Sequence, residues 1–300
     1  TGAGRSELAV KHLPTQLPLA VIISLLVGYL AWLATASRMS FSWEINLALA
    51  AREFELFCQP LLNAQTQQCM GVEILLRWNN PRQGWISPEV FIPIAEEHNL
   101  IVPLTRHVIA ETIQQRHVFP MSSQFHIGIN VAASHFRNGT LLKDLNQYWF
   151  SQHPIQQLVI ELTERDALLD VDYRVVRELN RLGVKLAIDD FGTGNSSLSW
   201  LEKLRPDVLK IDKSFTSAIG TDAVNSTVTD IIIALGKKLN IELVAEGVEY
   251  GYQQQWLRKN NVDYLQGYQF LPPVMFDDFM RFYKQSVGLF ESASDSTFSA

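Results

Sequence analysis

Two aspartates, Asp189 and Asp190, stand side by side where an apolar run meets a glycine-containing turn in the segment KLAIDDFGTGNSS, residues 185–197. Adjacent carboxylates repel each other, and the repulsion costs stability unless a cation or a shared proton offsets it. The pair therefore predicts a partner that relieves this repulsion.

Other apolar runs are also interrupted near their ends by a polar or charged residue. Burying an unpaired charge in a strand is unfavourable, and a single interruption would indicate only a surface position or an ion pair. Recurrence over seven consecutive runs is better explained by one shared site. The residues concerned are Glu73, Asn130, Glu161, Asp189 with Asp190, Lys210, Glu246 and Gln266.

This set of side chains is suited to metal-dependent phosphoryl chemistry. Oxygen ligands favour Mg²⁺ or Mn²⁺ over zinc, and five carboxylates in one cavity would be mutually destabilising without cations. Two ions about 3.5–4 Å apart activate a water molecule and stabilise a leaving oxygen. A glycosidase is the alternative, but it needs only two carboxylates flanked by sugar-binding residues.

The elements that must position these residues alternate between β-rich apolar runs and segments of helical periodicity. The alternation predicts an α/β fold, a (β/α)₈ TIM-like barrel in which late strand positions converge on one face. The amphipathic segments 87–115 and 224–240 are predicted to be helical. The eight predicted strands span residues 54–62, 69–78, 125–132, 158–164, 184–192, 207–213, 241–249 and 263–270.

The link between the first two strands, residues 63–68, is too short for a helical crossover. It predicts a hairpin, with the first strand antiparallel to the second. An open doubly wound sheet is the alternative, but no glycine-rich dinucleotide fingerprint follows the early strands.

Residues 17–36 carry no charge, and their number matches the hydrocarbon core of a bilayer. They predict a transmembrane helix; the alternative is a cleaved signal peptide, whose apolar region would be shorter. Arg38 and Arg52 favour a cytoplasmic C-terminal side. The predicted order is an N-terminal flank (1–16), a transmembrane helix (17–36), a connector helix (37–49), the barrel (50–285) and a flexible tail (286–300).

Composition agrees with an intracellular catalytic domain. The chain has 300 residues, of which 47% are hydrophobic, enough for one large barrel and an extra segment. The net charge of −6 argues against binding of a nucleic-acid polymer. Cys58 and Cys69 lack metal-site spacing and are expected to be reduced thiols.

Seven short motifs, in order, resemble the EAL family of cyclic di-GMP phosphodiesterases. They are GVEILLRW, INVA, IELTE, DDFGTG, LKID, AEGVE and LQGY, and the resemblance covers about residues 50–285. Members of this family hydrolyse the bacterial second messenger cyclic di-GMP to linear pGpG with Mg²⁺ or Mn²⁺. The resemblance implies an enzyme of this kind that forms a homodimer through its barrel. Together with the predicted transmembrane helix at residues 17–36, it leads us to expect an enzyme anchored in the bacterial inner membrane with its barrel in the cytoplasm.

The resemblance also implies ligands for two ions, with Asp189 as the bridge. One ion is held by Glu73, Asn130, Glu161 and Asp189, and the other by Asp189, Asp190, Glu246 and, through water, Gln266. Glu73, Lys210 and Glu246 are the implied catalytic residues. Lys210 would contact the attacking water or a phosphate oxygen, and Glu246 would act either as a ligand or as the general base.

Substrate contacts are implied for Arg77, Asp212 and Gln266. A guanidinium is well suited to a phosphate, so Arg77 is expected to bind one, and Asp212 is expected to face a guanine. Glu164 resembles the glutamate that pins the loop after the paired aspartates.

Two residues depart from the family pattern. Ile74 replaces the alanine of the signature, but strand alternation turns it away from the face of Glu73. Asn195 stands where many members carry an aromatic residue, in the loop linked to dimerisation. Neither change removes a ligand, whereas members that act as inactive cyclic di-GMP receptors, the alternative function, lose ligands.

Overall fold

The computed structural model describes residues 21–32, 41–169, 171–194, 199–221 and 224–297. Ten strands form one sheet, which closes on itself because β1 also pairs with β2. The strands are β1 (Phe54–Asn63), β2 (Cys69–Asn80), β3 (Gly84–Ile86), β4 (His126–Asn130), β5 (Gln157–Thr163), β6 (Lys185–Phe191), β7 (Val208–Ile211), β8 (Glu242–Ala245), β9 (Tyr264–Leu265) and β10 (Val274–Met275).

Eight of these strands make the barrel, in the order β1-β9-β8-β7-β6-β5-β4-β2, while β3 and β10 extend its edges. The neighbours from β2 through β4 to β9 are parallel. Strand β1 is antiparallel to β2 and places Gln59 opposite Glu73. The predicted barrel and its reversed first strand are both confirmed.

The turn between β1 and β2 is built from local hydrogen bonds. The Oδ1 atom of Asn63 accepts the backbone N–H groups of Gln65 and Thr66, both at 2.9 Å, and Gln67 takes a positive φ of 62°. Asparagine side chains support such turns by replacing backbone acceptors. The short link therefore closes a hairpin, as its length predicts.

Helices cover the outside of the barrel. They are α1 (residues 41–51), α2 (Pro88–Glu97), α3 (Ile101–Gln114), α4 (Thr140–Asp144), α5 (Glu164–Leu169), α6 (Tyr173–Arg181), α7 (Ser199–Leu204), α8 (Lys213–Thr216), α9 (Val224–Leu239), α10 (Gly251–Lys259) and α11 (Phe276–Thr297). Helix α11 continues through residues 286–297, where the composition predicts a flexible tail. An established helix extends more easily than it nucleates, even through polar residues.

The segment 87–115, which is predicted to be helical, forms two helices, α2 and α3. Asn99 separates them with a φ of 58°, a left-handed conformation that asparagine tolerates better than most residues. The break allows Phe91 of α2 and Leu104 of α3 to pack in one apolar cluster with Trp78. The burial of an apolar face on each helix therefore favours two helices, although the helical periodicity of the sequence continues through the break.

Helix α1 docks on the same cluster through Ile45 and Ala48, each 1% exposed. Residues 41–49 of the predicted connector are helical in the structure, whereas residues 37–40 lie outside the described part. The main hydrophobic core lies between the sheet and the outer helices and includes Ile74. The side chain of Ile74 is 2% exposed there, so the larger residue fills core volume away from the barrel interior.

Of the predicted membrane-spanning segment 17–36, the structure describes residues 21–32, which are helical and expose apolar side chains. Among the described residues, no helix combines the length and the apolar character needed to cross a bilayer. The flank 1–16, and the rest of the segment, lie outside the described residues.

Candidate active site

The candidate site is a layer of polar side chains directly above an apolar layer inside the barrel. Side chains two apart on a strand share a face. The interior cluster of Val159, Ala187, Val208 and Val244 therefore sets the direction of the residues two positions later. These are Glu161, Asp189, Lys210 and Glu246, and the same spacing relates Gly71 to Glu73, Gly128 to Asn130 and Tyr264 to Gln266.

Asp189 and Asp190 reach the site together because strand β6 is irregular where they lie. The register between β6 and β7 shifts by one residue between Ile188 and Phe191, and Asp190 has a φ of 53°. In a regular strand the two side chains would point to opposite faces, and a bulge redirects one of them. The Oδ1 atom of Asp189 also accepts the N–H of Asp190 at 2.9 Å.

Lys210 lies among four carboxylates. Its Nζ atom is 2.6 Å from Glu161 Oε2, 2.7 Å from Glu246 Oε1, 3.2 Å from Glu73 Oε2 and 3.3 Å from Asp189 Oδ2. The ammonium group is buried with them, so it supplies part of the positive charge that the paired aspartates require. The prediction that these residues meet at one site is confirmed.

Two side-chain amides complete the surroundings of Glu73. Asn130 Nδ2 donates to Glu73 Oε1 at 2.7 Å, and Gln266 Nε2 donates to Glu73 Oε2 at 2.9 Å. With both amino groups directed at one carboxylate, the amide oxygens remain available as acceptors. The Gln266 Oε1 atom is buried and has no hydrogen-bond partner among the residues that the structure describes.

Glu164 holds the start of the loop that follows the paired aspartates. Its Oε2 atom accepts the backbone N–H groups of Gly192 at 2.9 Å and Gly194 at 3.1 Å. A Cβ on Gly194 would lie 3.0 Å from the Glu164 carboxyl carbon, so glycine permits this approach. The geometry agrees with the predicted pinning role, whereas Asn195 lies outside the described residues.

The predicted substrate residues Arg77 and Asp212 lie at the edge of the cluster. Arg77 donates to the Leu76 carbonyl at 3.0 Å, and its guanidinium carbon lies 5.8 Å from the ring centroid of Phe57. Asp212 caps α8 by accepting the N–H of Ser214 at 2.9 Å. The structure therefore assigns the Asp212 carboxylate a capping role that the sequence analysis did not predict.

A cavity of about 250 Å³ opens beside Arg77. Its walls come from β2, α2, α3 and the ends of β4 and β5, and most of its lining is apolar. Asn130 and Glu161 line it as well, which connects the cavity to the polar layer.

Two residues of the site were missed by sequence reasoning. Gln59 contacts Gln266 at 3.2 Å, and it escaped because late strand positions converge only in parallel strands, whereas β1 runs the other way. Gly128 leaves space for Glu161, since a Cβ there would lie 1.9 Å from Glu161 Oε1. The polar interruption of the first apolar run was a signal for Gln59.

Burial and mutual repulsion leave the carboxylates short of positive charge. Burial raises the pKa of Glu161 to about 8 and that of Asp190 to about 6, and nearby carboxylates add to both shifts. The pKa of Glu246 is also raised by burial and by Asp189. Burial opposes ionisation of Glu73, but Lys210 and the two amides lower its pKa.

The carboxylate oxygens are close enough to hold cations. One group is Glu73, Glu161 and Asp189, the other is Asp189, Asp190 and Glu246, and within each group one ligand atom per residue lies within 4.8 Å of the others. Asp189 belongs to both groups. The all-oxygen donors, the unpartnered Gln266 Oε1 and the raised pKa values all fit hard divalent cations.

Fold and site define a member of the EAL domain family. The family model matches residues 43–273, more than half of the chain, and the chain belongs to this family.

Curated relatives of the chain are phosphodiesterases by name. It is 78% identical over 278 residues to the probable cyclic di-GMP phosphodiesterase PdeD of Escherichia coli K12, covering 93% of this chain and 52% of the relative. It is 38% identical to the cyclic di-GMP phosphodiesterase PdeL of the same strain, covering 77% of this chain and 65% of PdeL. The chain thus spans about half the length of several curated relatives that it matches.

Solved structures show the same fold. The PaMucR phosphodiesterase in complex with c-di-GMP is 33% identical, with a TM-score of 0.73 over 79% of this chain and 98% of that one. The EAL enzyme Bd1971, bound to cAMP and cyclic di-GMP, is 28% identical, with a TM-score of 0.78 over 83% of this chain and 70% of that one.

The raised pKa of Glu161 predicts a pH-dependent stability in EDTA. Between its ordinary value of 4.5 and about 8 the folded chain keeps a proton that the unfolded chain has lost. The free energy of unfolding should therefore fall with rising pH, by up to about 1.4 kcal/mol per pH unit for each retained proton. Buried His126, with a pKa lowered to about 4, has the opposite effect below about 6.5, so the test covers pH 6.5–8.

Urea unfolding at several pH values measures this slope. Glu161→Gln should reduce it, whereas Glu89→Gln, at an exposed position on α2, should keep the wild-type profile. Saturating Mn²⁺ should abolish this slope, because the ligands bind it in their deprotonated form and the folded chain then retains no extra proton. Equal slopes in wild type and Glu161→Gln would contradict the assignment.

Proposed function

We propose that the chain hydrolyses cyclic di-GMP to linear pGpG with two divalent cations, Mg²⁺ or Mn²⁺. The observation that carries the proposal is the sharing of Asp189 between two carboxylate groups above the barrel interior. The relatives named as cyclic di-GMP phosphodiesterases give the substrate. Every ligand expected from the sequence is present, which favours an enzyme over an inactive receptor.

The residues divide between two ion sites. Glu73, Asn130, Glu161 and Asp189 would hold one ion, and Asp189, Asp190 and Glu246 the other, with Gln266 Oε1 accepting from water. When bound, the ions lower the pKa of water and stabilise the leaving oxygen of the phosphodiester. They also offset the negative charge that would otherwise repel the substrate phosphate.

Lys210 and Glu246 are placed to handle charge and protons. Glu246 lies 2.7 Å from Lys210, and its carboxylate would act either as a ligand of the second ion or as the general base that accepts a proton from the attacking water. The ammonium of Lys210 stays charged because four carboxylates raise its pKa despite burial. It can therefore donate a hydrogen bond to the phosphate oxygen on which charge develops.

The substrate would extend from the ions toward Arg77. Its guanidinium can bind a phosphate oxygen, and the adjoining apolar cavity of about 250 Å³ can take a planar base. Asp212 would contribute to guanine binding through the carboxylate oxygen that does not cap α8.

An assay for pGpG production with and without EDTA tests this function. Wild type should turn over cyclic di-GMP only with Mg²⁺ or Mn²⁺. Glu73→Ala and Asp189→Asn should lose at least about 10²-fold in kcat, as expected when a group stabilising the transition state is removed, while circular dichroism stays unchanged. The matched control Asp172→Asn, at the half-buried N-cap of α6, should keep full activity.

Retained binding of cyclic di-GMP without hydrolysis in wild type would identify a receptor instead. Hydrolysis that persists in EDTA would contradict the use of metal.

We also propose that residues 17–36 attach the chain to the bacterial inner membrane, with the barrel in the cytoplasm as a homodimer. The charge-free sequence supports the anchor, as do the exposed apolar side chains of residues 21–32. Val224 and Ile231, 78% and 60% exposed on α9, support self-association of the barrel.

Membrane fractionation and light scattering of the detergent-extracted chain test both points. The chain should sediment with inner membranes and have twice its monomer mass, and Val224→Lys with Ile231→Lys should restore the monomer. Recovery of the wild-type chain in the soluble fraction would refute the anchor, and a monomeric wild type would refute the dimer.

A further inference from the structure

The amide of Gln266 is oriented by a second glutamine, Gln59, which belongs to the antiparallel strand β1. Gln59 lies opposite Glu73 in the β1–β2 pair, and its side chain is 9% exposed. It therefore enters the polar layer from β1, a strand that contributes no carboxylate to either of the two groups of possible metal ligands.

The orientation of Gln59 follows from a backbone carbonyl. Its Nε2 atom donates to the carbonyl oxygen of Leu271 at 3.2 Å. A carbonyl oxygen can only accept, so the amino group of Gln59 must face Leu271. The Oε1 atom of Gln59 is then directed at Gln266, whose Nε2 atom lies 3.2 Å away.

The orientation of Gln266 follows from that of Gln59. Its amino group faces two acceptors at once, Gln59 Oε1 at 3.2 Å and Glu73 Oε2 at 2.9 Å. Reversing the amide would place its oxygen against both of these acceptors. This relay, the hydrogen bonds from Leu271 through Gln59 to Gln266, therefore leaves Gln266 Oε1 as a buried acceptor with no partner in the described part of the chain.

We infer that Gln59 is a positioning residue, which keeps the amino group of Gln266 on Glu73 and leaves its carbonyl oxygen available to the second ion, the one assigned to Asp189, Asp190 and Glu246, or to a water bound to that ion. An oxygen can bind a divalent cation or its water, whereas an NH₂ group cannot. Residues that orient ligands in this way affect metal affinity by about 10- to 100-fold. The inference rests on the proposed two-cation function.

The variant Gln59→Met keeps the length of the side chain but removes both hydrogen bonds. Calorimetric titration of the metal-free protein with Mn²⁺ should give about tenfold weaker binding of one ion. Turnover should fall at limiting Mn²⁺ and recover at saturating Mn²⁺, with KM for cyclic di-GMP unchanged. Gln254→Met, at a glutamine that bonds Gln67, is the matched control and should bind Mn²⁺ as wild type does.

A double-mutant cycle with Gln266→Met separates this role from a general loss of structure. If Gln59 acts through Gln266, Gln59→Met should have no further effect on Mn²⁺ affinity once Gln266 is replaced. Additive losses, or a raised KM with wild-type Mn²⁺ affinity, would overturn the inference. Mn²⁺ binding is measured without substrate, so it tests the relay independently of catalysis. A chain that binds Mn²⁺ through this relay but does not hydrolyse cyclic di-GMP would refute the proposed function and would still support the role of Gln59.

Discussion

One ammonium group among four buried carboxylates is the interaction on which the site depends. Lys210 lies within 3.3 Å of Glu161, Glu246, Glu73 and Asp189, and its charge offsets only part of theirs. The raised pKa values of Glu161 and Glu246 reflect burial first and then the remaining repulsion from neighbouring carboxylates. A site of this kind is stabilised by further cations, and the same cations make it able to accept a phosphodiester.

The fold supplies the positions that this interaction requires. Small and branched residues fill the barrel interior, and strand alternation then directs the polar residues two positions later into a common layer. A bulge at Asp190 brings two consecutive carboxylates to that layer. Gly128 leaves the space that the Glu161 carboxylate occupies. Each of these features is local, but together they bring more charge into one layer of the barrel than a single strand could bury.

Much of this could be predicted from the sequence, since polar residues late in parallel strands must meet at one end of a barrel. The short link after β1 was also enough to predict its reversal. Three features required three-dimensional information. Gln59 belongs to the antiparallel strand, the cap formed by Asp212 depends on where α8 begins, and the break at Asn99 follows from the shared burial of Phe91 and Leu104.

The central claim is that Asp189 joins two cation sites. Electron paramagnetic resonance of the chain loaded with Mn²⁺ tests it directly, because ions about 3.5–4 Å apart couple magnetically. Wild type should bind two ions per chain and give a coupled spectrum, and Asp189→Asn should lose the coupling. A wild-type spectrum of one ion, or of two uncoupled ions, would contradict the account.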